Sequence, residues 1–209
     1  MNLSRALSRR SIEWIKFFIH SLSLSWAAVV FYQAATDQLG GDPVEALLHF
    51  TGISAFNLLL LCLSVSPLAK WLRASPLMQL RRLLGLYAFT FACLHLLSFV
   101  MFELQLEWQL LMTEIIKRPY ITVGFSAWVI LLLLAATSTK AMQRRLGKQW
   151  QKLHNWVYLA GPLIALHYIW SVKSDIFQPV VYIGLLAILL FCRKDKFIKT
   201  TYCVNEKRG

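Results

Sequence analysis

Two histidines, His154 and His167, mark the stretch of this sequence that is best suited to do chemistry. They lie near the two ends of an apolar segment, Trp150 to Val172, that is long enough to cross a bilayer. Ionisable side chains inside lipid are costly to bury, which makes them functional candidates. Imidazole is a frequent axial ligand of haem iron. The segment therefore predicts a membrane b-type cytochrome that carries electrons, with the two rings about 20 Å apart along one continuous helix.

A third histidine, His95, lies inside another apolar segment and matches His167 in depth. Both segments run outward from a basic rim, and His95 follows Arg82 by 13 residues, as His167 follows His154 by 13. Two parallel helices thus carry one imidazole each at the same outer level. We predict one haem between them, with His95 and His167 as the axial ligands of its iron from opposite faces.

The inner level holds His154 and two arginines, Arg81 and Arg82. A helix advances about 100° per residue, so His154 lies about 140° away from the face that carries His167. Three interpretations stay open for His154: it ligates a second haem, it contacts a flavin or quinone, or it is structural. The two arginines are placed to pair with haem propionates or a phosphate, or to act as ordinary basic anchors at the membrane edge.

The other two histidines are expected to play no direct part. His20 is isolated in the first apolar segment, which favours a structural role, and His49 is expected to be exposed in the first outer loop. That loop also carries Asp42, Pro43 and Glu45 in the order of a helix N-cap, first and third position. A helix is therefore predicted to start there and to lead into the second span.

Composition places these residues in a membrane. Of the 209 residues, 57% are hydrophobic and 15% are charged, with a mean hydropathy of +0.54, whereas a soluble domain carries about 25% charged residues. We predict an all-α integral membrane protein, a six-transmembrane-helix bundle that forms a single domain over residues 1–209. The predicted spans are residues 17–35, 51–69, 83–104, 119–137, 153–172 and 176–192, and residues 193–209 form a tail.

The charged residues predict the orientation of the bundle. All but three of the 22 lysines and arginines fall on one side, together with both termini, while seven of the ten acidic residues fall on the other. The positive-inside rule then places both termini in the cytoplasm. The net charge of +12 is thus a topology signal, and nucleic-acid binding is not predicted. The acidic residues of the outer side are Asp37, Asp42, Glu45, Glu103, Glu107, Glu114 and Asp175.

The sequence contains no glycine-rich nucleotide motif of the form G-x-G-x-x-G. If the protein carries electrons, a second component must therefore supply them. We expect an electron-transfer subunit of an oxidoreductase rather than the catalytic subunit, because the proposed chemistry needs only a haem held at a set depth and potential.

Several stretches together make the chain resemble the MsrQ (YedZ) family, the haem-binding membrane subunits of bacterial MsrPQ protein-methionine-sulfoxide reductase systems. The similarity covers nearly the whole chain up to about Arg193, and the motifs are specific as a set. The matching stretches are GDPVEALLHFTG (41–52), SPLA (66–69), RRLLGL (81–86), LH (94–95), RPYITVG (118–124), STKAMQRRLGKQWQKLHNWVYL (138–159) and HYIWSVK (167–173).

The resemblance implies a ferric-reductase-like transmembrane domain, related in architecture to NADPH oxidases and STEAP metalloreductases. It implies haem b, carried over to His95 and His167, with His154 as the third family histidine. It also implies FMN, for which this sequence shows no motif. NADPH oxidases carry a second histidine on the third span, where this chain has Arg82, so the inner level departs from that pattern.

The resemblance also implies a location and partners. The protein would be a multi-pass protein of the bacterial inner membrane and would pass electrons to a periplasmic molybdopterin-containing reductase of the MsrP type, which reduces methionine sulfoxide in oxidised proteins. Its electron donor would be the quinone pool or a cytosolic flavin reductase. Two alternatives come from other classes: a metalloreductase of the STEAP type, and a proton-conducting or scaffold membrane protein without redox chemistry.

Overall fold

The computed structural model describes residues 9–172 and 176–193, and these residues are mostly helical, with no strand among them. Four helices of this part are long and apolar enough to cross a membrane, which confirms the prediction of an all-α membrane protein. The tail after Arg193, the outer residues Lys173 and Asp175, and the basic residue Arg5 belong to the predicted charge pattern but lie outside the described residues.

The helices follow one another in a simple order along the described chain. The α-helices are α1 (Arg9–Ala35), α2 (Pro43–Trp71), α3 (Leu80–Ser98), α4 (Trp108–Lys117), α5 (Pro119–Ala136), α6 (Lys140–Leu146), α7 (Lys148–His154), α8 (Val157–Ser171) and α9 (Phe177–Phe191). A 3-10 helix, Ser75–Gln79, precedes α3, and a π-helical turn, Phe99–Glu103, follows it without a break.

The long apolar helices coincide with four of the predicted spans. They are α1, α2, α5 and the stretch that combines α3 with its two flanking turns, while α9 is apolar but shorter. Helix α8 has 15 residues, fewer than the roughly 20 that cross a bilayer without tilt or a continuing segment. The number of six spans therefore stays a prediction.

The fifth predicted span is interrupted near its inner end. Helix α7 ends at His154 and α8 begins at Val157, with a turn at residues 155 and 156. Asn155 caps α7 and accepts a hydrogen bond on Oδ1 from the Gln151 amide at 2.9 Å, and asparagine favours helix ends because its side chain competes for local hydrogen bonds. The prediction of one continuous helix between the two histidines is therefore wrong.

Helix α2 begins as the sequence predicts. The Asp42 carboxylate accepts the backbone N–H of Glu45 at 2.9 Å, and Pro43 occupies the first turn. The helix then continues without interruption through the predicted second span. His49 is consequently exposed on a helix, in the outer turns of α2, and not in a loop.

Two helix pairs form the core: α2 packs along α3, and α5 packs along α8, while α9 lies against α8 and α2. Aliphatic and small side chains fill the space where these helices meet. The buried cluster contains Phe56, Leu59, Leu60, Leu63, Ala88, Ile130, Leu131, Ala160, Ala165 and Leu186. Helix α1 lies at the edge, and its apolar side chains, such as Phe18 with 70% exposure, face outward, as expected against lipid.

Helix α4 was not predicted and lies in the outer loop before α5. Leu111 packs on Val100 and Leu104, while Trp108 and Met112 are more than half exposed. Residues four apart share one face of a helix, so the exposed apolar side chains form a stripe. Such an amphipathic helix fits the interface between membrane and water.

The orientation predicts the outcome of reporter fusions. A fusion after Gly40, in the turn between α1 and α2, will be active only with a periplasmic reporter. A fusion after Gly147, between α6 and α7, will be active only with a cytoplasmic reporter, because the basic residues flank that turn. Activity of both fusions on the same side of the membrane would contradict the topology.

Candidate functional site

His95 is held by the helix that packs beside its own. It lies on α3, and its Nδ1–H donates to the carbonyl of Leu48 on α2 at 2.9 Å, with the Thr51 hydroxyl oxygen 3.3 Å away. The ring lies directly on Gly52, where an added Cβ would be 3.1 Å from ring atoms Cε1 and Nδ1. A larger residue at this position would push the ring away from α2 by a few tenths of an ångström.

His167 is held in the same way by the other helix pair. It lies on α8, and its Nδ1–H donates to the carbonyl of Tyr120 on α5 at 2.7 Å. The ring lies on Gly124, where an added Cβ would be 2.7 Å from Nδ1. The Tyr120 ring stacks on the imidazole at a centroid distance of 6.1 Å.

The two supports share one construction that the sequence analysis missed. In each support, a backbone carbonyl of one helix accepts a hydrogen bond from the imidazole of a histidine that lies 47 residues later in the sequence. A glycine follows the carbonyl residue by four positions. The carbonyl of residue i in an α-helix points toward residue i+4. A side chain at i+4 would therefore block the approach of the imidazole from the neighbouring helix. The repeated spacing of Leu48, Gly52 and His95 and of Tyr120, Gly124 and His167 is a signal that could have been read from the sequence.

The structure brings the two rings together, as the match in depth predicts. The centroids of His95 and His167 are 6.1 Å apart, and the ring planes are at 80°. Two uncoordinated rings in edge-to-face contact would lie at a similar distance. The distance alone therefore does not indicate metal binding, and the protonation state of the ring nitrogens has to be considered. A carbonyl can only accept, so Nδ1 is the donor on both rings and each neutral Nε2 keeps a free lone pair.

Two imidazoles are too few for a protein-only metal site. No group of three or more His, Cys, Asp or Glu among residues 9–172 and 176–193 could hold a metal ion, and structural or catalytic zinc needs at least three protein ligands. The pair suits a metal whose remaining ligands come from elsewhere, such as the iron of a porphyrin. The assignment of these histidines as axial ligands stays a prediction.

His154 lies apart from this pair at the end of α7. Its ring stacks on Trp150 with centroids 3.9 Å apart, and its Nδ1–H donates to the Trp150 carbonyl at 3.1 Å. The guanidinium of Arg81 is within electrostatic reach of the ring. Arg82, in contrast, is exposed. The two arginines thus differ: Arg81 turns toward the level of His154, and Arg82 turns away from the bundle.

His20 has a structural contact of the kind that was expected. Its Nδ1 lies 2.6 Å from the Tyr87 hydroxyl, and the two rings make an edge contact at 5.3 Å. This hydrogen bond ties α1 to α3 within the apolar region. His20 is exposed at the surface of the bundle, and the tyrosine gives its ring a polar partner where lipid offers none.

Comparisons with known proteins identify the family that this chain resembles. The family described as ferric reductase like transmembrane component matches residues 50–165, a range that includes His95 and ends before His167. A curated relative, the protein-methionine-sulfoxide reductase heme-binding subunit MsrQ of Klebsiella pneumoniae (strain 342), is 46% identical over 189 residues, which cover 90% of this chain and 95% of the relative. No solved structure shows a significant match.

The space around two glycines predicts that a change to alanine affects protein stability differently at Gly124 and at Gly184. Gly124→Ala forces a Cβ against His167 and should destabilise the protein by about 1–3 kcal/mol, as overpacking does. Gly184→Ala is the matched control, because Gly184 lies in α9 and an added Cβ would have nothing within 4 Å; it should leave stability unchanged or raise it by about 0.5–1 kcal/mol. Thermal unfolding of both purified variants measures the difference, and equal midpoints would contradict the contact.

Proposed function

We infer the function of this chain from its family: it belongs to the MsrQ family of haem-binding subunits and contains that family's ferric-reductase-like transmembrane component. We propose that it binds haem b between α3 and α8 and carries electrons across the bacterial inner membrane. The acceptor is a periplasmic molybdopterin-containing methionine-sulfoxide reductase of the MsrP type. The donor is the quinone pool or a cytosolic flavin reductase.

The observation that supports this proposal is the pair of supported histidines. Metal–imidazole bonds are about 2 Å long, and about 1.1 Å separates each nitrogen from its ring centre, so two axial imidazoles stand about 6.2 Å apart. The observed separation of 6.1 Å between His95 and His167 agrees with that value. Both rings also present the neutral Nε2 that a metal requires, because their Nδ1 atoms are engaged. The residues therefore fit the group.

The chain would contribute position and environment. When bound, the haem supplies one-electron redox chemistry. The carbonyls of Leu48 and Tyr120 fix the plane and tautomer of each imidazole and raise the basicity of its Nε2, which tunes the potential. Thr51, whose hydroxyl oxygen lies 3.3 Å from Nδ1 of His95, and Phe91, four residues before His95 on α3, are both buried. No bond to the final substrate is made or broken by this chain.

The inner level would connect the donor to the outer haem. His154 and Arg81 lie there together, and the outer pair is too far from the cytoplasmic rim to serve a donor directly. We propose that this level receives electrons through a quinol, a flavin such as FMN, or a second haem with His154 as a ligand. Arg82 lies at the same end of α3 but is exposed, so we assign it to the membrane surface.

The first test of the function is ligation. His95→Ala and His167→Ala should each abolish the low-spin haem spectrum, because each removes one axial nitrogen. His20→Ala and His49→Ala should retain it, and His154→Ala should retain the outer haem at matched expression. A reduced-minus-oxidised optical spectrum of the purified variants is the measurement. Full low-spin haem in either of the first two variants would refute the assignment.

The second test concerns the acceptor. The outer surface exposes Glu103 and Glu107 next to α4 and further acids around the start of α2, so an acceptor with a basic face should be steered toward it. Its rate of reduction should fall about tenfold or more between low and high ionic strength. The double variant Glu103→Gln/Glu107→Gln should lose part of this dependence, whereas Glu13→Gln, on the inner side, should not. A rate that is independent of salt would contradict steering.

A further inference from the structure

The support of His95 contains a second hydrogen-bond acceptor that the support of His167 lacks among the described residues. Nδ1 of His95 lies 2.9 Å from the carbonyl oxygen of Leu48 and 3.3 Å from the hydroxyl oxygen of Thr51. Nδ1 of His167 lies 2.7 Å from the carbonyl oxygen of Tyr120. The two rings therefore differ in the number of oxygen atoms that surround the same nitrogen.

Thr51 is fully buried, so its hydroxyl group has to be satisfied by the protein. The residue is 0% exposed, and its Oγ1–H donates to the carbonyl of Leu47, one turn earlier in α2, at 2.8 Å. The carbonyl of Leu48 is farther away, at 3.1 Å. A hydroxyl group has one proton and two lone pairs. With the proton on the closer carbonyl, the lone pairs of Oγ1 are free to accept.

The Nδ1–H of His95 is consequently shared between two acceptors. A proton that points between two oxygen atoms forms a three-centre hydrogen bond, and the closer oxygen, that of Leu48, is the stronger acceptor here. If the hydroxyl proton of Thr51 pointed to Leu48 instead, Thr51 and His95 would compete for one carbonyl. Donation to Leu47 leaves neither buried donor without an acceptor, as is usual in proteins.

A second acceptor on Nδ1 changes the electronic character of the other ring nitrogen. Hydrogen bonds from the second N–H of a metal-ligating imidazole fix the orientation of the ring and raise its basicity toward the metal. Water does not weaken this effect here, because Thr51 is buried and the effective dielectric constant inside a protein is low. The hydroxyl of Thr51 is therefore placed to act on Nε2 of His95 through the ring.

We propose that Thr51 is a positioning residue, which holds the ring of His95 and raises the basicity of its Nε2 as an axial ligand. The inference rests on the proposed haem site between α3 and α8. A more basic axial ligand stabilises ferric iron relative to ferrous iron, so the hydroxyl lowers the reduction potential of the haem. Thr51 acts through His95 and is not itself a ligand.

A valine at position 51 removes the hydroxyl and nearly preserves the shape of the side chain. Thr51→Val leaves no buried donor without an acceptor, because the N–H of His95 keeps the carbonyl of Leu48. The carbonyl of Leu47 keeps the backbone N–H of residue 51 within the helix. The variant is therefore expected to fold and to bind haem. Thr51→Ala also removes the hydroxyl and provides a second variant if valine does not fit the buried site.

The test is a potentiometric titration of the purified, haem-loaded, full-length protein, followed by its optical spectrum. Thr51→Val and Thr51→Ala should each favour the reduced haem by a factor of about three in the one-electron equilibrium constant, which corresponds to about 28 mV. The potential rises because the loss of an acceptor makes Nε2 less basic. A purely structural role of Thr51 would change stability or haem content and would leave the potential of the bound haem unchanged.

Two further variants separate the hydroxyl from other effects of substitution. Thr51→Ser retains a hydroxyl at the same place and should keep the wild-type potential. Thr90→Val is the matched control, because Thr90 is exposed on α3 and donates to the carbonyl of Leu86, four residues earlier, at 3.0 Å. This substitution removes the same kind of side-chain bond on the exposed side of a helix and should also keep the wild-type potential.

Three results would overturn the proposal. Both hydroxyl-free variants keep the wild-type potential or lower it, or Thr51→Ser raises it as far as Thr51→Val does, or Thr90→Val raises it equally. Each of these results leaves the proposed function intact, because haem is still bound. Wild-type protein without low-spin haem would instead refute the haem site itself, and this role of Thr51 with it.

Discussion

Two hydrogen bonds from imidazole to a helix carbonyl determine the outer level of this protein, those of His95 to Leu48 and of His167 to Tyr120. A helix carbonyl already accepts the N–H four residues later, and its second lone pair remains available. Lipid offers no alternative donor or acceptor. The ring can therefore satisfy its Nδ1–H only by close approach to a neighbouring helix, and Gly52 and Gly124 make that approach possible.

The packing of the bundle follows from this requirement. Each histidine must stay within hydrogen-bond distance of its partner helix, so α2 and α3, and likewise α5 and α8, form the two closest pairs. The aliphatic cluster between the pairs then sets how far apart the two rings stand. Because a close-packed interior resists small displacements, ring separation becomes a fixed property of the fold.

The outer and inner levels of the bundle differ in how their buried polar groups are hydrogen-bonded. At the outer level the Nδ1 atoms of the paired histidines and the hydroxyl of Thr51 have hydrogen-bond partners. At the inner level Arg81 and Arg193 retain unpaired donors. Ser98 Oγ, on the outer half of α3, is also buried without a partner among the described residues. The two levels therefore differ mainly in charge, because the unpaired groups at the inner level are guanidinium donors.

The sequence by itself determined the membrane character, the start of α2 at Asp42 and Pro43, and the common depth of His95 and His167, because hydropathy, capping residues and helical rise are local properties. Tertiary structure alone decided which residues support those rings, and that Arg81 is partly buried whereas Arg82 is exposed. It also placed the break at Asn155 and the amphipathic helix α4. These features depend on contacts between residues far apart in sequence, and neither periodicity nor composition encodes which helix faces which.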